Sequence, residues 1–290
     1  MGELASVGAA FFWAAASLLF ATLGRSIRPT ALNFLKCSIA LVLMALTWLV
    51  VGWSGSLPST PQLGYLVVSG LVGLTIGDSA YFAALTRLGP RKTLLFSALT
   101  PFVTALMGSF FLSEAITPVM LAGMVLTVAG VLWVVLERSG TATATTALKS
   151  GAAFAALALS CQAGGSILTK LGTGDLSSLE VSIVRLFAGS VGLIFVVSTR
   201  SQWRDVASAF ENRRQFLTLL VALFFGTYLG VWLMNTGLKY TYAGIAATLN
   251  STSPIWILPM AHFFAGDRVT PRSLVGAVLA VAGVAILFLR

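Results

Sequence analysis

The sequence predicts an all-α integral membrane protein, with ten transmembrane helices in two inverted five-helix repeats around a central cavity. Three observations carry that expectation. Of 290 residues, 57% are apolar and only 9% charged, with a mean hydropathy of +0.94, whereas an ordinary globular domain is about 25% charged. Ten stretches approach the roughly 20 apolar residues that a spanning helix needs. The two halves of the chain also repeat each other's glycine, proline and acidic punctuation.

In order, the spans are expected at about 4–23, 30–51, 63–86, 91–113, 118–136, 151–170, 179–199, 215–238, 243–265 and 271–289. Lipid offers the backbone no hydrogen-bond partner, so these stretches are helices, and none alternates in polarity as a barrel strand would. Breaks are marked by Arg28-Pro29-Thr30, Ser56-Leu57-Pro58, Leu88-Gly89-Pro90, Thr117-Pro118 and Thr270-Pro271. The first span is expected to remain rather than be removed as a signal peptide. No basic residue precedes it, it is too long, and no small-x-small site follows. The Ser/Thr-rich stretch 138–150 reads as a linker between repeats at 1–137 and 151–290.

Laying 73–136 over 226–289 at a constant offset of 153, without a gap, gives 18 identities in 64 positions. Among them are Gly73/Gly226, Gly77/Gly230, Pro101/Pro254, Gly123/Gly276 and Gly130/Gly283, and Glu114 aligns with Asp267. Five helices is an odd number, so the second repeat enters the membrane from the opposite side. Inverted repeats of this kind are an architecture of secondary transporters, with the substrate site near the midplane between them.

An acidic residue, then Thr-Pro three positions on, then spaced glycines ending in Gly-Val, runs from Glu114 to Val131 and again from Asp267 to Val284. With Pro101 and Pro254, this pattern resembles the paired EamA domains of the drug/metabolite transporter superfamily, over essentially the whole chain. The resemblance implies ten helices around a central cavity and export of amino acids or other small metabolites. Nucleotide-sugar and triose-phosphate carriers are more distant relatives. It carries no substrate signature.

Basic residues predict the orientation. Thirteen lie in the connections after helices one, three, five, seven and nine, against three (Lys170, Lys239 and Arg290) on the opposite side. Basic loops stay in the cytoplasm, so both termini are expected outside the cell in a multi-pass protein of the inner (plasma) membrane. The resemblance implies cytoplasmic termini instead. The formal charge of +9 then reflects topology and anionic lipid heads rather than nucleic acid.

Asp78 is the acidic residue deep in a span, where an unpaired carboxylate costs at least about 2.5 kcal/mol. Proton coupling, binding of a substrate ammonium, or a hydrogen bond or basic partner on another helix would each account for it. Lys36 and Arg185, at a spacing of 149 in equivalent helices, either hold a carboxylate or phosphate or snorkel to the interface, and Glu180 and Asp175 are near Arg185 in sequence. Cavity-lining residues are expected among Trp13, Ser17, Tyr81, Ser97, Ser160, Gln162, Tyr228, Trp232, Asn235, Asn250, Ser251 and His262, with helix packing as the alternative for each. Glu114 and Asp267 read as helix-start caps, and the paired glycines as close helix contacts.

No catalytic residue, metal site or cofactor is expected: there are nine acidic residues and one histidine, and no Gly-x-Ser-x-Gly. The expected function is secondary transport, exporting small polar metabolites such as amino acids by alternating access. Proton-coupled efflux of amphipathic cationic drugs is an alternative, as is a lipid flippase or a non-transport membrane protein. The expected partners are a small-molecule substrate, protons as a coupling ion and the lipid bilayer, with the chain a monomer or weak homodimer.

Overall fold

The computed structural model describes all residues except 53, 98, 114–115, 136–144, 254, 258, 261–270 and 289–290, and describes only the backbone at 89–92, 94–95, 131, 134–135, 145–148, 272–274, 277, 281, 284 and 287–288. Every regular element among the described residues is helical. In chain order they are α1 (Gly2–Leu23), α2 (Pro29–Val51), α3 (Thr60–Ser69), α4 (Asp78–Ser97), α5 (Thr100–Phe111), α6 (Pro118–Val135) and α7 (Thr145–Thr173). They continue with α8 (Ser178–Thr199), α9 (Trp203–Ser208), α10 (Arg213–Leu223), α11 (Gly230–Tyr240), α12 (Ala243–Asn250) and α13 (Pro271–Phe288). Two π-helical stretches, Gly70–Gly77 and Phe224–Leu229, join α3 to α4 and α10 to α11.

Among the described residues, six helices are long and apolar enough to cross a membrane: Gly2–Leu23, Pro29–Val51, Thr60–Leu88, Lys149–Thr173, Ser178–Thr199 and Arg213–Tyr240. At 1.5 Å per residue, the 22 residues of α1 reach about 33 Å, enough for a hydrocarbon core of about 30 Å. Their outward faces are apolar. Leu49 and Phe195 are each 71% exposed, as befits side chains that meet lipid rather than water. Many hydroxyls in the spans bond within their own helix: the Ser6 hydroxyl donates to the Gly2 carbonyl at 3.0 Å, and that of Thr169 to the Gly165 carbonyl at 2.6 Å.

Two expected boundaries move. The break at Leu88-Gly89-Pro90 is absent, and helix continues through it to Ser97. Pro90 removes one ladder donor without ending the helix, and the turn falls at Leu99, ahead of Pro101. The ninth expected span turns at Ser251–Thr252 after only the eight residues of α12. These turns stand at equivalent positions, since Leu99 plus 153 is 252. The π stretches do too: subtracting 153 from 224–229 gives 71–76, inside 70–77.

Packing follows the same pairing. α1 packs on the 213–240 span and α7 on the 60–97 span, while α2 meets α8, α5 meets α12 and α6 meets α13. Glycine sets the closest approaches. A Cβ at Gly130 would collide with the backbone of Gly276 and Ala280, and one at Gly283 with the backbone of Thr127 and Gly123. The α6–α13 crossing therefore requires a bare backbone at both points. Thr117 caps α6 by accepting from Met120 N at 3.2 Å; Glu114 and Asp267 lie outside the described residues.

Candidate functional site: a central cavity with a buried ion pair

A cavity of about 1110 Å³, counting its open mouth, lies between α1, α2, α4, α7, α8, α11 and α12. Its wall pairs off at two sequence spacings. At 149 residues apart are Ala9 and Ala158, Trp13 and Gln162, and Lys36 and Arg185. At 153 apart are Asp78 and Val231, Tyr81 and Met234, Ser97 and Asn250, and Thr100 and Ser253. Each helix pair thus presents corresponding positions to one space.

On one side Lys36 forms an ion pair with Asp78. Both side chains are within 5% of full burial. Gln162 Nε2 donates to the other carboxylate oxygen at 2.6 Å. The ammonium also lies 5.9 Å from the centre of the Trp13 ring and 5.7 Å from that of Phe82. Lys36 therefore does not snorkel. It is held deep in the protein by a carboxylate and two aromatic rings. The pair sits where α2 meets the π stretch before α4, and Asn33, one turn before Lys36, clamps that junction by donating to the Leu74 carbonyl at 2.7 Å and to Ser79 Oγ at 3.0 Å.

On the other side Arg185 is 1% exposed, and its guanidinium takes no carboxylate among the described residues. Nη1 donates to Asn235 Oδ1 at 2.6 Å, and Asn235 in turn donates to Ser182 Oγ at 2.6 Å. Arg185 Nε is buried without a hydrogen-bond partner. Glu180, near Arg185 in sequence, is engaged elsewhere: it closes the capping box of α8 with Ser177 and accepts from the backbone and hydroxyl of Ser54 at 3.0 and 2.6 Å.

Of the sequence candidates, Trp13, Lys36, Asp78, Tyr81, Ser97, Gln162, Arg185, Asn250 and Ser251 line the cavity. Ser17 sits behind it, bonding the Trp13 carbonyl at 2.7 Å and lying 3.5 Å from the Tyr81 hydroxyl. Asn235 likewise stands behind Arg185. Tyr228 turns toward α2, where its hydroxyl meets that of Thr47 at 2.7 Å, and Trp232 packs edge-on against Tyr228. Ser160 is exposed on the far face of α7, and His262 lies outside the described residues. Sequence reasoning missed Ser166 and Thr100. Ser166 follows Gln162 by one helical turn, and Thr100 follows Ser97 by three residues; both spacings share a face.

A model of the EamA-like transporter family matches residues 1–136 and 149–289. Protein LicB of Haemophilus influenzae is 24% identical over 290 residues, covering 98% of this chain and 96% of that protein. A solved crystal structure aligns with a TM-score of 0.78 at 18% identity, over 99% of this chain and 96% of that one, and so shares the fold. With membrane-crossing helices, a central polar cavity and family matches across both halves, the chain is a multi-pass membrane protein and belongs to the EamA-like transporter family.

Proposed function

We propose that this protein is a secondary transporter of the inner membrane that exports small polar metabolites, amino acids among them. Two inverted repeats, residues 1–137 and 151–290 joined by 138–150, would rock about the cavity to open it to either side in turn. The observation that carries this is the paired wall. A substrate site related to itself by the repeat operation presents similar chemistry whichever side is open. The π stretches favour it as well, since such turns weaken the helical ladder where a span must bend, and they contribute Leu74 and Gly226 to the wall. The split of basic residues, thirteen to three, supports termini outside the cell. Asp78 is the coupling group in this scheme, with proton or substrate loading accompanied by opening of its pair with Lys36.

The test is uptake of radiolabelled amino acids into proteoliposomes loaded with the same unlabelled compound. Saturable exchange of at least one, absent from protein-free vesicles, is expected. Vesicles that exchange no amino acid, other metabolite or drug cation would overturn the transport function.

A further inference from the structure

The two cations of the cavity wall are equivalent by position but not by partner. Lys36 has Asp78; 153 residues after Asp78 stands Val231, on the same wall, with no charge to offer Arg185. Where Phe82 turns its ring to Lys36, the corresponding residue is Asn235, a neutral acceptor for one guanidinium nitrogen. Two cations against one carboxylate leave the wall with one positive charge in excess. A buried arginine with an unsatisfied Nε is costly as it stands. Its planar fork suits a carboxylate or phosphate, which it binds through two parallel hydrogen bonds.

The place where a cationic substrate would dock is already filled. An ammonium entering this cavity would seek the carboxylate and the aromatic faces, and Lys36 occupies Asp78, Trp13 and Phe82 together. At Arg185 an anion meets no carboxylate within ion-pair distance among the described residues; Asp78 acts on the guanidinium only from farther off.

Building on the transport function proposed above, we infer that the substrate carries an anionic group, and that this group binds Arg185 in the position corresponding to the carboxylate of Asp78. The substrate completes the second half of the site with the acid that no described residue supplies there. Small organic acids, zwitterions and phosphate esters qualify; amphipathic cations without an acid do not. Asn235 is the positioning residue that holds Nη1 and turns the remaining edge of the fork to the ligand.

Thermal unfolding of the purified full chain, titrated with matched probes, tests this, because a ligand of the folded state raises its midpoint by mass action. The probes are the common L-amino acids, their methyl esters, their decarboxylated amines, and inorganic phosphate with glycerol 3-phosphate. At least one amino acid or phosphate probe should raise the midpoint, and the choice between them identifies the acid. For an amino acid, the ester and amine should bind at least about tenfold more weakly. Arg185→Gln should weaken the acid about ten- to a hundredfold, the worth of a charge-assisted hydrogen bond. Asn235→Asp, which gives Arg185 a permanent partner, should do the same in a protein at least as stable as the parent, so the test survives if Arg185→Gln fails to fold. Amines or esters binding as tightly as the acids, no binding by any anionic probe, or acid binding unchanged in Asn235→Asp would each overturn the inference. Flux separates the two proposals. Transport of amines alone would sink the anion site and keep the transporter, whereas an acid that binds at Arg185 without crossing would keep the site and sink transport.

Discussion

Lys36 and Arg185 stand at corresponding places in α2 and α8, each 1% exposed, yet among the described residues only Lys36 is ion-paired with a carboxylate. Around them the two halves agree closely. Both have a π stretch, a turn before a proline and a glycine-bared helix crossing, at one constant spacing. Around the two cations the halves differ at 78 against 231 and 13 against 162 on the wall, and at 82 against 235 beside it. Backbone geometry is thus shared between the halves, because bending and close packing depend on glycine and on helix breaks. Charge is not shared: Val231 stands where Asp78 does and Asn235 where Phe82 does.

The largest expected effect breaks the complete side. Lys36→Met strands Asp78 in the protein with only Gln162 as donor, and losing one partner of a buried pair costs about 3–5 kcal/mol. Arg185→Met should cost far less, since it removes an unpaired buried cation and leaves only Asn235 Oδ1 short of a donor. Chemical unfolding in detergent measures both; equal losses would mean that the two halves are electrostatically alike. The double variant Lys36→Met with Asp78→Leu should recover much of the single variant's loss.

Next in size are changes that should strike both halves equally. Gly130→Val and Gly283→Val each force α6 and α13 apart, and overpacking of this kind costs about 1–3 kcal/mol. Losses in melting temperature that differ strongly between the two would place the crossing off the repeat axis. Smallest is Tyr228→Phe, which removes the contact with Thr47 outside the cavity. It should cost about 1 kcal/mol of stability and leave ligand affinity unchanged.

Much of this was legible in the chain because membrane burial makes certain residues conspicuous. A carboxylate inside a span marks itself by its cost, so Asp78 stood out, and duplicated glycines and prolines revealed the repeat. The pairing of Asp78 with Lys36 was not legible, since it joins two helices whose relative rotation the sequence leaves open. Nearness in sequence misdirects at Arg185, because Glu180 sits at the helix start and faces the Ser54 loop. Tyr228 and Trp232 look like cavity aromatics until the helix's rotation packs them, half-buried, against the apolar cluster around Cys37, Ala40 and Met44 of α2. At Gly89-Pro90 the turn expected from the sequence is overridden, and the helix runs on to Ser97.

Restoring the missing acid tests the asymmetry most directly. Val231→Asp places a carboxylate opposite Arg185 as Asp78 stands opposite Lys36, and Val231→Asn is the uncharged control. Equilibrium binding of an anionic ligand identified with the parent protein should fall at least about tenfold in Val231→Asp and persist in Val231→Asn, as expected when a built-in acid occupies the place of the substrate's. Binding by Val231→Asp at parental affinity would show that Arg185 does not hold the ligand and that the imbalance of charge in the cavity has another purpose.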